Sequence, residues 1–195
     1  IRSQVSSMPY GSDGRSVTLA EYVNEIVPQQ QKEATNKSVI PASLPLYWYA
    51  MLLPNDPMQH AIMQRLGKAP SFLHYSPSPS HDGNGYRPTT YQFFYGSSAT
   101  GSPQHTHGPS WNYLARGRKQ WWFWAPGRAS YSKTPPIEGA QEWDSDADVG
   151  CVQQAGDIVL VPEDWGHATH ALEEIVGIAA EYRHSRVAAH STTLR

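Results

Sequence analysis

Two histidines one residue apart, His105 and His107, stand in the stretch Ser102-Pro-Gln-His-Thr-His-Gly-Pro-Ser-Trp-Asn112. A second stretch, Gly156-Asp-Ile-Val-Leu-Val-Pro-Glu-Asp-Trp-Gly-His167, ends sixty residues after His107. On a β-strand, residues i and i+2 point to the same face. His105 and His107 can thus aim two imidazoles at one point, and His167 from a distant strand can close a facial triad. Imidazole suits Fe, Zn, Cu and Ni, and three protein ligands leave positions open for substrate. Singly, each of these histidines reads as an ordinary surface or core residue. The combination of spacing and flanking turns points to a metal site. His170, three residues after His167, would face the other side of a strand and reads as a polar rim residue.

The elements that carry these residues must come from a chain of 195 residues, enough for one domain with a substantial core and no staples. Fifteen Lys and Arg against 17 Asp and Glu give a net charge of −2, which offers no electrostatic footprint for nucleic acid. Seven Trp, 11 Tyr, 16 Pro and 15 Gly favour a β-rich fold with many turns. The single cysteine, Cys151, excludes an internal disulfide framework and reads as an inert, partly buried residue. No apolar run has the length of a membrane span. Asn36-Lys-Ser38 fits an N-glycosylation sequon.

Residues 1–15 read as a flexible arm, and residues 16–90 as N-terminal helices and loops packing on a barrel. Thr18 with Glu21 makes a capping box, and Leu19, Tyr22, Val23, Ile26 and Val27 share one helical face. Pro28 should stop or kink that helix, leaving 28–45 as loop. Leu46–Leu53 reads as an aromatic-rich strand, Asp56-Pro57 as a helix start, and 76–90 as a long loop that can serve as a lid. From Tyr91 the pattern turns to β. Short strands at Tyr91–Tyr95, around the histidine pair, at Asn112–Ala115, Lys119–Trp124, Asp157–Val161 and Ile175–Tyr182 suggest a jelly roll or cupin-like barrel over 91–185, with a tail at 186–195. The 125–155 stretch reads as an insertion between sheet strands. Trp121 and Phe123 should face one side of their strand, Trp122 and Trp124 the other, as in a strand buried on both faces.

Three segments carry a specific resemblance. Ser102-Pro-Gln-His105 is similar to the opening motif of the Jumonji C (JmjC) branch of the cupin superfamily. Trp111-Asn112-Tyr-Leu-Ala-Arg-Gly117-Arg-Lys119-Gln-Trp121 resembles that family's Trp-Asn…Gly-x-Lys-x-Trp segment. Gly156-Asp157…Val161-Pro162…Trp165-Gly166-His167 resembles its ending. The resemblance covers about residues 91–182. It implies a mainly β double-stranded β-helix (jelly-roll/cupin barrel) with N-terminal helices, Fe(II) and 2-oxoglutarate as cofactors, and hydroxylation of a protein or peptide side chain. It also implies metal ligation by His105, His107 and His167, and 2-oxoglutarate binding by Lys119, Asn112 and Ser102. The physical requirement agrees: a carboxylate entering an apolar barrel needs a buried cation to offset its desolvation.

Two departures from the family pattern bear on function. His107 replaces the usual acidic ligand, which removes a negative charge and makes Zn, Cu or Ni rivals to Fe, with an empty site as the other outcome. Ala179 and Glu181 stand where related hydroxylases carry a Thr and an Asn that help hold 2-oxoglutarate. These substitutions keep a second reading open: a non-catalytic cupin-fold binding or structural subunit of a larger assembly, with partner subunits in place of a substrate. The His-x-His-Gly-Pro version is similar to a JmjC subgroup of the secretory-pathway lumen, and the resemblance implies that compartment; without it the expectation is cytoplasmic.

Overall fold

The computed structural model describes residues 2–6, 16–35, 47–52, 88–132 and 145–182, with a few helical positions between 57 and 65. The sequon at Asn36 and the proposed lid up to residue 87 lie outside the described residues, as does most of the helix expected after Asp56.

The strands are β1 (Arg2–Ser6), β2 (Ser16–Thr18), β3 (Tyr47–Leu52), β4 (Pro88–Gly96), β5 (Gly101–His105), β6 (Ser110–Arg116), β7 (Arg118–Trp124), β8 (Val149–Gln154), β9 (Ile158–Val161), β10 (Gly166–Ala171) and β11 (Ile175–Tyr182). They form two antiparallel sheets. The larger has the order β2-β1-β3-β4-β11-β6-β9 and the smaller β5-β10-β7-β8. This is the double-stranded β-helix expected from the turn-punctuated strands. Arg2–Ser6, read as part of a loose arm, instead pairs with β2 and β3. Backbone pairing decides this, and no apolar alternation announces it.

The helix after Thr18 begins as expected. The Thr18 hydroxyl accepts from Glu21 N–H at 3.1 Å, and the Glu21 carboxylate accepts from Thr18 N–H at 2.6 Å. Pro28 does not stop it. The run continues as α1 (Leu19–Glu21), a π turn (Tyr22–Ile26) and α2 (Val27–Thr35). The π turn shifts the hydrogen-bond register immediately before Pro28, which has no N–H to place, so the expected break is absorbed. Tyr22, Ile26 and Val27 pack on Trp48, Trp111 and Ile178, covering one face of the larger sheet.

The barrel interior is built by alternation. On β7, Trp121 and Phe123 face inward with their rings stacked 5.5 Å apart at 3°, while Trp122 and Trp124 pack with Ala168 on the outer face. Both faces of the strand are apolar, as expected for a doubly buried strand. The stretch read as an insertion supplies β8, on which Cys151 is exposed rather than partly buried. Gly177 on β11 is required by close approach. A Cβ there would collide with the Phe94 ring and the Tyr113 carbonyl.

Candidate metal centre

His105 is the last residue of β5 and lies directly opposite His167 on β10. His107 lies beyond the end of β5, so it is not held by strand alternation. Its ring still reaches the others. Ring centroids are 4.2 Å apart for His105 and His167, 4.5 Å for His107 and His167, and 5.4 Å for His105 and His107. One nitrogen from each ring lies within 4.8 Å of the other two. The structure therefore brings together the three histidines singled out by spacing. His170 is not among them. By alternation it falls on the side of Ala168, and at 1% exposure it is a core residue rather than a rim residue.

Backbone carbonyls set the ring tautomers. His105 Nδ1 lies 2.7 Å from the Pro103 carbonyl, His107 Nδ1 2.7 Å from the Gly108 carbonyl, and His167 Nδ1 3.2 Å from the Trp165 carbonyl. A carbonyl only accepts, so each Nδ1 carries the proton and donates it. Each ring is left with the Nε2 lone pair for a ligand. Burial keeps the His105 and His167 rings neutral. It pulls His105 from 6.5 down to about 4 and His167 well below its ordinary value. Three imidazoles with their Nδ1 atoms committed to backbone carbonyls fit a divalent cation.

Acid should therefore weaken the metal-free fold. The unfolded chain takes up a proton at His105 near pH 6.5, while the folded chain resists until about pH 4. The His105 contribution to stability is complete above 6.5 and falls away as the pH drops through that window, by about 3 kcal/mol. Denaturant midpoints across pH 4–7 should decline less steeply in His105→Asn than in the native sequence.

Lys119, on β7, points into the same barrel. It is 4% exposed, and its Nζ lies 4.5 Å from the Phe94 ring centre and 4.7 Å from that of Trp121. None of the ion pairs among the described residues includes it. Desolvation pulls its pKa from 10.5 down to about 7. Asn112 on β6 is buried, and its Oδ1 has no hydrogen-bond partner. Ser102 lies beside the metal centre, with its Oγ 3.2 Å from His105 Nδ1 and 3.3 Å from the Pro103 carbonyl.

One cavity of about 390 Å³ is lined by the three histidines, Lys119, Asn112 and Ser102 together. Ala179 and Glu181 line it too, as their register opposite Asn112 and Ser110 requires. Tyr47 and Tyr49 on β3 also line it, and sequence reasoning missed them. Their signal is present in Tyr47-Trp48-Tyr49, where alternation sends both phenols to one face and buries Trp48 on the other. Burial raises both phenol pKa values, so both hold their O–H and can donate.

No established family model matches the chain. JmjC domain-containing protein 8 of Rattus norvegicus is 32% identical over 123 residues, which span 57% of this chain and 43% of that protein. The match therefore spans less than half the length of that relative. The 2-oxoglutarate and iron-dependent oxygenase JMJD4 of Gallus gallus is 29% identical over 107 residues, 45% of this chain and 25% of that protein. This chain is similar in sequence to JmjC proteins over about half its length. YcfD, a ribosomal oxygenase from Escherichia coli, shares the fold, with a TM-score of 0.51 over 95% of this chain and 40% of that one at 12% identity. Among the described residues of this chain, no helix is long and apolar enough to cross a membrane.

Proposed function

We propose that this chain is a metal-dependent 2-oxoglutarate oxygenase that hydroxylates a protein side chain. His105, His107 and His167 would hold Fe(II), and Lys119, Asn112 and Ser102 would hold 2-oxoglutarate. The observation that carries this reading is the single cavity joining the three Nε2 faces to a buried lysine outside the described ion pairs. The chicken relative's name, an iron-dependent and 2-oxoglutarate-dependent oxygenase, supports it. When bound, the metal and 2-oxoglutarate would direct dioxygen, the oxidant, to the hydroxylation, with 2-oxoglutarate leaving as succinate and carbon dioxide.

The chain's own residues do the rest. Lys119 takes the tail carboxylate of the co-substrate, and the anion in turn favours the charged form of the lysine. Tyr47 and Tyr49, whose hydroxyls keep their protons, line the same cavity. Asn112 Oδ1, or its amide NH2 on rotation of the group, meets the polar atoms nearer the histidines. The stacked Trp121 and Phe123 rings, 6.0 and 6.4 Å from the His167 ring, form an apolar wall that excludes water. A first shell of three imidazoles contributes no negative charge, so Zn, Cu and Ni compete with Fe more closely than at a site containing a carboxylate ligand.

Ala179 and Glu181 on the cavity wall favour the second reading, a non-catalytic subunit that keeps the barrel. One experiment separates the two. Metal analysis of purified protein identifies the resident ion, and succinate formation from 2-oxoglutarate is then followed with Fe(II). Succinate above background that disappears in Lys119→Ala supports the oxygenase. A metal-loaded, folded protein that forms none with any divalent ion supports the subunit.

A further inference from the structure

Residues 125–132 leave β7 and cross the rim of the smaller sheet beside the metal centre. Their near end is anchored by charge. The Arg128 guanidinium pairs with Asp148 and donates to the Asp146 carbonyl at 2.7 Å, and Ala125 N–H donates to the Asp148 carboxylate at 2.8 Å. Their far end grips β5. Ser132 N–H donates to the Gln104 carbonyl at 3.0 Å, Gln104 N–H donates to Ser132 Oγ at 2.9 Å, and Ser130 Oγ–H donates to Gln104 Oε1 at 2.9 Å. The Tyr131 hydroxyl lies 3.0 Å from Thr106 Oγ1. Between the two ends, Ala129 sits against Gly166, where an added Cβ would come within 2.8 Å of the Ala129 Cβ.

The residues gripped are Gln104, immediately before His105; Thr106, between the two early histidines; and Gly166, immediately before His167. Among the described residues β5 is an edge strand paired with β10 alone, and His107 lies beyond its end. An edge strand with one partner is a loose mount for two ligands that must meet a third within a fraction of an ångström. We infer that residues 125–132 are a positioning strap: they tie the two histidine-bearing strands together and set the spacing of the three imidazoles. Gln104, Ser130, Tyr131 and Ser132 are positioning residues, and none of them belongs to the histidine cluster.

The inference rests on the metal reading above, and the test keeps the two apart. Cobalt(II) is titrated into the full chain carrying Ser130→Ala with Tyr131→Phe, Ser132→Ala, Ser132→Thr or Gly166→Ala. Amide exchange over Gln104–His107 is followed in parallel without metal. The first, second and fourth variants should bind cobalt at least 10-fold more weakly, with shifted visible absorption bands, while still unfolding cooperatively. Ser132→Thr keeps the hydroxyl and should restore both affinity and spectrum. Exchange over Gln104–His107 should quicken in the metal-free hydroxyl-deletion variants. Native cobalt affinity and bands in folded variants would overturn the strap, as would unchanged exchange. If Gly166→Ala does not fold, the hydroxyl deletions decide. If the native sequence takes up no cobalt, the metal reading falls and exchange alone decides whether the strap holds β5.

Discussion

Replacing Lys119 with methionine should give a metal-free protein that is more stable at pH 7 and a site that binds 2-oxoglutarate far more weakly. The side chains have similar length and volume, so packing against Phe94 and Trp121 is retained while the charge is lost. In the unfolded chain this lysine titrates near 10.5, whereas burial brings it down to about 7 in the fold. Between those values the unfolded chain holds a proton that the folded chain has released. The native sequence should therefore gain stability as pH rises from 7 toward 10.5, and Lys119→Met should lack that slope. Near pH 7 the variant should be the more stable by roughly 2–4 kcal/mol, since a buried cation without a counter-charge is costly and a well-packed apolar side chain is not. The gain is the mirror of a function. A dicarboxylate seated against Lys119 supplies the missing counter-charge, and its removal should lower 2-oxoglutarate affinity by about 100-fold or more. Denaturant titrations from pH 6.5 to 9.5 read the first effect, and calorimetric titration of 2-oxoglutarate reads the second. Undiminished binding of the dicarboxylate would remove Lys119 from the site.

His167→Ala should abolish tight divalent-metal binding, with a loss on the order of 1,000-fold, and leave a folded barrel. Removing one of three ligands leaves two imidazoles, one of them, His107, beyond the end of its strand. Ligand loss exceeds the 10–100-fold that follows loss of a group supporting a ligand. The fold should persist because the His167 ring contributes no core cluster of its own. It lies on the wall formed by Trp121 and Phe123, which remain stacked on each other. His170→Gln is the matching control. It alters the same strand three residues on, at a side chain outside the histidine cluster, and should keep the metal affinity even where it lowers stability. Metal content after gel filtration, together with a competition titration against a chelator, checks both variants. Equal losses in the two would mean that His167 acts through the strand rather than as a ligand.

How far the sequence carries can be judged residue by residue. The i,i+2 pair of His105 and His107, the Gly-Asp turn before His167 and the Gly-x-Lys hairpin of Lys119 mark the residues that meet at the cavity, because each motif is local. Strand character at β7 and β11 and the cap at Thr18 are legible for the same reason: alternation, capping and turn chemistry act over a few residues. The tertiary structure alone decided what depends on distant pairing. It made Arg2–Ser6 a strand, carried a helix past Pro28, turned Tyr47 and Tyr49 toward the same cavity as Lys119, and buried His170 in the core. It also brought residues 125–132, unremarkable as sequence, across Gln104, Thr106 and Gly166. Sequence determines which groups are available and how near neighbours point. Which of them share a volume is set by strand register across some sixty residues of chain, and no local preference encodes that.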